Sequence, residues 1–188
     1  AERLISENEL ELGEDAARYR LLIAHQKGTD IAEQVTAQFK KTSADVDLQN
    51  AISILLQRRD HVRLRPLLEE RLKRFPSDQG ALVSLVRICL SANDYASISR
   101  LAESHVQAFQ REDKLARGLL EAYLGLGKVD QASAQLVHLQ QLVGAVGCIH
   151  ERALVHIAEG QWHLLSATVE DALAHMSEES DSQDMLIA

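Results

Sequence analysis

The chain is poor in the residues that break, crosslink or stiffen a fold. Its 188 residues include two prolines and two cysteines, and aromatic residues make up 4%. Few prolines leave long stretches in which helices can run unbroken. Few aromatic residues count against sheets, which are usually richer in aromatic and β-branched side chains; Ala, Leu, Gln and Glu are plentiful instead and favour helix. No apolar run approaches the roughly 18 to 20 residues that span a bilayer, and no basic-then-apolar leader is present. The chain opens on Ala1 rather than Met, as a processed form or an excised fragment does. Acids outnumber bases, 28 to 20. The formal net charge is -8, and it is uneven: residues 1–15 hold six acids and one Arg, residues 177–184 hold four acids, and the middle is close to neutral. Acidic ends argue against a general nucleic-acid binder, which usually presents a basic domain.

What is present is a period. Lys114 to Leu139 reads as two amphipathic segments about the turn from Gly125 to Lys128, and the same punctuation returns at 58–61, 92–95 and 159–162. Aligning Arg59, Asn93, Gly127 and Gly160 gives spacings of 34, 34 and 33 residues. A fixed period of this size is the mark of stacked helical hairpins. It divides the chain into units 45–78, 79–112, 113–145 and 146–179. The fourth position of each reads Leu48, Leu82, Ala116 and Ile149, and the twentieth reads Leu64, Ile98, Ala132 and Leu165. These are small or apolar sites where the helices of a hairpin must touch. Gly127 and Gly160 suit a turn that needs positive φ.

Residues 1–44 are off-pattern N-terminal helices, a cap or a degenerate repeat: a weak helix over 2–12, an apolar segment over 15–27, a stop at Gly28, then Ile31, Val35 and Phe39 on one stripe. Residues 180–188 form an acidic and apolar tail. Cys89 and Cys148 fall about four helices apart, at roughly 8 to 10 Å per helix, beyond the about 7 Å that a disulfide tolerates. Two free thiols favour a reducing compartment. The expected location is cytoplasmic, with the periplasm open to a chain that has lost a signal or anchor.

Leu119, Tyr123, Gly127, Ala132 and Leu136 in the third unit, Gly160 in the fourth and Pro76 near the end of the first resemble the tetratricopeptide repeat (TPR) family, over about 135 of the 188 residues. The family's Trp at the fourth position is absent, and Arg59 and Asn93 stand where it has a turn glycine. A generic helical-hairpin repeat fits the same pattern. The resemblance implies an all-α, right-handed α-solenoid of stacked antiparallel helix hairpins, a TPR-like superhelix whose first helices line a concave groove. Carried over position by position, it puts Gln49 and Ser53 in that groove, then Val83 and Arg87, then Lys114, Arg117 and Glu121, then His150 and Leu154. A charged centre flanked by leucines suits an amphipathic helix or an extended peptide of a partner protein.

Motifs of chemistry are weak. The GLGK stretch at 125–128 has Ala122 and Val129 where a phosphate loop needs glycine and a hydroxyl, and it follows a helix rather than a strand. His150 and Glu151 open like a zinc-protease helix, but the second histidine is His156, on nearly the opposite face. No GxSxG or CxxC occurs. The expectation is therefore a binding module, not an enzyme, with no cofactor and no metal. Arg58, Arg59, Arg63 and Arg65, with Arg71, Lys73 and Arg74 beyond, form a basic stretch among Asp60, Glu69 and Glu70. It reads first as a solvated face with local ion pairs and second as a dock for an acidic peptide; RNA is a weaker third, since no aromatic residues interleave with the arginines. The function expected is an adaptor or scaffold that holds another protein, without a membrane span. The alternative is a regulatory domain that self-associates.

Overall fold

The computed structural model describes residues 31–171, 173 and 174. The expectations for 2–12, 15–27, Gly28 and the tail at 180–188 lie outside the described residues. Among the described residues every regular element is helical and there is no strand. The chain divides between Phe75 and Pro76 into two compact units.

In the first unit, helix α1 (Ile31–Thr42) and helix α3 (His61–Arg74) both pack on α2 (Asp45–Arg58). Leu48, Ala51, Ile52 and Leu55 of α2 are buried, as are Leu64, Leu67, Leu68 and Leu72 of α3. Each set follows the spacing of a single helical stripe, and each fully buried leucine contributes about 1.5–3 kcal/mol. Val35 and Phe39 close the set from α1. Arg74, in the last turn of α3, donates to the Ser43 carbonyl and to Asp45 Oδ1 at 2.8 and 2.9 Å, and its guanidinium lies over the Phe39 ring. Its hydrogen bond to Asp45, followed by that to Glu70, raises its pKa.

The second unit comprises α4 (Gln79–Ser91), α5 (Tyr95–Ser104), α6 (Val106–Arg111), α7 (Asp113–Gly125), α8 (Val129–Val143), a 3-10 turn (Val146–Cys148), α9 (Ile149–Glu159) and a further helix α10 over 162–171. Helix α7 is its hub, packing on α4, α5, α6, α8 and α9. Leu115, Ala116, Leu119, Leu120 and Ala122 of α7 are buried, and Ala132, Leu136 and Leu139 of α8 join Cys148 and Val155 in one core cluster. Two glycines let α7 approach its neighbours. A Cβ at Gly118 would sit 2.7 Å from Val86 Cγ1, and one at Gly125 would overlap the Tyr95 ring.

One turn geometry recurs. Arg59, Asn93, Gly127 and Gly160 all have positive φ, from 54° to 71°. The next amide donates five residues back in every case: Asp60 to the Leu55 carbonyl, Asp94 to Cys89, Lys128 to Tyr123 and Gln161 to His156, at 2.8–3.0 Å. The turn amide itself donates three residues back, to Leu56, Leu90, Leu124 and Ile157. This pair of bonds is the Schellman motif, which satisfies the last helical carbonyls while reversing the chain. Asp60 and Asp94 then cap the following helices by accepting from the Arg63 and Ser97 amides, an interaction that contributes about 1 kcal/mol per cap. Lys128, at the same place, makes no side-chain cap.

Candidate binding surface

In the second unit α7 lies between α4 and α9 and packs on both. Gly118 marks the side toward α4. Arg117, about 100° away around the helix, marks the side toward α9: it donates to Glu151 Oε1 and to the Gly147 carbonyl. Between these contact lines the outward stripe of α7 carries Lys114 and Glu121, both exposed. Helix α4 presents exposed Arg87 one turn beyond half-buried Val83, and α9 presents exposed His150 one turn before half-buried Leu154. Three neighbouring helices thus offer stripes of aliphatic and charged side chains.

Arg117 is not available in the way its neighbours are. Glu151 is only 8% exposed, and its Oε2 has no hydrogen-bond partner among the described residues. The pKa of Arg117 is raised, chiefly by the hydrogen bond to Glu151, against the opposing effect of burial. Behind this pair the Cys148 thiol donates to the Gly144 and Ala145 carbonyls at 3.3 and 3.4 Å; burial, then the charge of Glu151, pushes its pKa up. Arg117 is thus a tie between α7 and α9. No sequence signal marks that role, because the partner lies 34 residues away.

In the first unit Gln49 and Ser53 are exposed one turn apart on α2. Arg58 and Arg59 are exposed at its C-terminal turn. Arg63 pairs with Asp60 at 3.2 Å and Arg65 with Glu69 at 3.1 Å. Two residues apart on a helix, Arg63 and Arg65 diverge by about 200°, so these two pairs do not share a face. Tyr95 wedges over Gly125 and donates to Asn93 Oδ1 at 2.9 Å, whereas Trp162, at the matching place after the last turn, is 64% exposed.

Neither cysteine forms a disulfide, and both are buried. Among the described residues no three His, Cys, Asp or Glu side chains gather as a metal site requires, and no helix is long and apolar enough to cross a membrane. These features define an all-helical fold over the described residues, with an outward-facing, mixed-polarity surface on the second unit. Compared with known proteins, it matches no family model, no curated protein and no solved structure.

Proposed function

We propose that the chain is a protein-interaction module, a TPR-like right-handed solenoid of antiparallel hairpins whose first helices hold a peptide or an amphipathic helix of another protein. The observation that carries this reading is the set of outward stripes on α4, α7 and α9, packed side by side in the second unit. The four turns with one hydrogen-bond pattern support the repeat. Recognition rather than chemistry is the mechanism. Arg87 and Lys114 attract carboxylates and Glu121 attracts a base, while Val83 and Leu154 supply apolar contact that does not depend on salt. Because the stripes sit on packed helices, little ordering is needed on binding.

Arg87→Glu combined with Lys114→Glu tests the proposal, since both side chains are exposed. The double variant is expected to lose the partner that the wild-type chain captures while its helicity and melting stay unchanged; retention of the partner would remove the surface from consideration. Arg117 is left intact in this test because it ties α7 to α9.

A second reading, a regulatory domain that self-associates, is favoured by one feature. Trp162, Val169 and Leu173 are 64%, 48% and 61% exposed and fall on one face of the last described helical segment. Sedimentation of wild type beside Trp162→Glu tests it: a dimer dissociated by the substitution would support it, and a monomeric wild type would exclude it.

A further inference from the structure

We propose that the first unit carries a separate binding site, a cleft between α1 and α3 that takes an acidic peptide through one aliphatic side chain. It lies wholly within that unit and does not depend on the surface of α4, α7 and α9. Helices α1 and α3 both rest on α2, and the space left between them is a cleft of about 520 Å3, within the roughly 300–1,000 Å3 range of ligand sites. Its apolar part comes from Phe39 and Leu67, both buried, and from Val62 and Pro66, both exposed; Val62 is 85% exposed. An exposed valine beside an exposed proline, over a phenylalanine and a leucine, leaves apolar surface that one leucine or isoleucine side chain would cover.

Two further features set the chemistry of the occupant. The first is charge. Lys40, Arg63, Arg74 and Glu70 line the cleft. Arg74 is engaged by Asp45 and Glu70, and Arg63 by Asp60. Lys40 is exposed and makes no ion pair among the described residues, and exposed Lys41 follows it. Among the described residues the uncompensated charge of the cleft is therefore positive and asks for a carboxylate. The second is the backbone. Pro66 lies inside α3 and has no N–H, so the Val62 carbonyl lacks the donor that would close its helical bond. Val62 and Pro66 both line the cleft. In the proposed complex that carbonyl accepts a main-chain N–H of the extended peptide, beside the apolar seat.

The experiment is a fluorescence anisotropy titration of the full chain with a labelled peptide of alternating glutamate and leucine, and with its lysine and leucine counterpart. The wild type is expected to bind the acidic peptide saturably and the basic one at least about tenfold more weakly. Val62→Glu and Lys40→Glu, both at exposed positions, should each weaken the acidic peptide about tenfold or more, with the circular dichroism melt unchanged. Absence of saturable binding by the wild type, or equal affinity in the Val62→Glu variant, would overturn the proposal. So would a dimer that Val62→Glu dissociates without any peptide binding, which would assign the cleft to a second copy of the chain.

Discussion

Arg74 in the first unit and Arg117 in the second do the same thing by the same means. Each clasps a backbone carbonyl and a carboxylate at the N-terminal approach to another helix: Ser43 and Asp45 for Arg74, Gly147 and Glu151 for Arg117. They differ in their surroundings. Asp45 has 55% of its side chain exposed and Glu151 10%. An exposed carboxylate that loses its partner returns to water at little cost, whereas a buried one is left charged and unpaired. Two clasps of one design therefore contribute differently to stability, and the difference is set by the acid rather than by the arginine.

The largest effect expected is for Arg117→Glu, which sets a like charge against buried Glu151. Because Arg117 is itself partly exposed, destabilisation of about 3 kcal/mol is expected rather than more, read as a lower urea midpoint. Replacing Arg117 by Met together with Glu151 by Leu should recover most of that loss, and a double-mutant cycle gives the coupling. If Arg117→Glu melts like the wild type, the contrast with Arg74 fails. Gly127→Val comes next. No neighbouring atom lies within 4 Å of where a Cβ would sit, so only the backbone at φ 68° resists, and a loss of about 2 kcal/mol is expected; an unchanged melt would mean that the turn relaxes without cost. Asn93→Gly should change stability by less than about 1 kcal/mol, since relief at φ 54° is offset by a freer unfolded chain. Arg74→Ala should move the melting midpoint least of the four, because exposed Asp45 returns to solvent and Glu70 keeps Lys73 at 3.9 Å.

Cys148 sharpens the same contrast between covered and open ground. Its thiol pKa is raised by burial, so the unfolded chain releases the proton first. Stability from this group is intact below the ordinary thiol range and is lost as pH rises through the folded pKa. Native protein should accordingly react with a thiol reagent at Cys148 far more slowly than unfolded protein; equal rates would contradict the burial.

The turns were the legible part of the fold. Arg59 and Asn93 align with Gly127 and Gly160 by period alone, and all four share positive φ and one bonding pattern although two are not glycine. The two non-glycine turns are followed by Asp60 and Asp94, which cap the next helix, while Gly127 is followed by uncapping Lys128. A cap of about 1 kcal/mol is of the size needed to offset a strained turn residue. The exposure of Arg87, Lys114, Glu121 and His150 follows from helical spacing, which fixes the face of a helix on which each residue falls. What could not be read was whatever depends on a distant partner. Arg117 has the place of a groove residue and the contacts of a tie. Gly118 looks like an ordinary helix glycine, and Gly125 like part of the turn, until Val86 and Tyr95 are set against them. The short helix α6 after His105 interrupts a segment whose composition gives no warning, whereas Gly144 and Gly147 mark the break at the 3-10 turn before α9. The cleft between α1 and α3 needs Phe39, Val62 and Pro66 brought together from two helices.

The central claim is that the outward stripes of α4, α7 and α9 hold a partner. It is tested most directly by placing a photoreactive residue at Arg87, Glu121 and His150 in turn, and at Ala134 and Gln141, both exposed on α8. The account predicts one and the same crosslinked protein from the three first-helix positions and none from α8. Crosslinking that is equal at all five positions, or confined to α8, would contradict it.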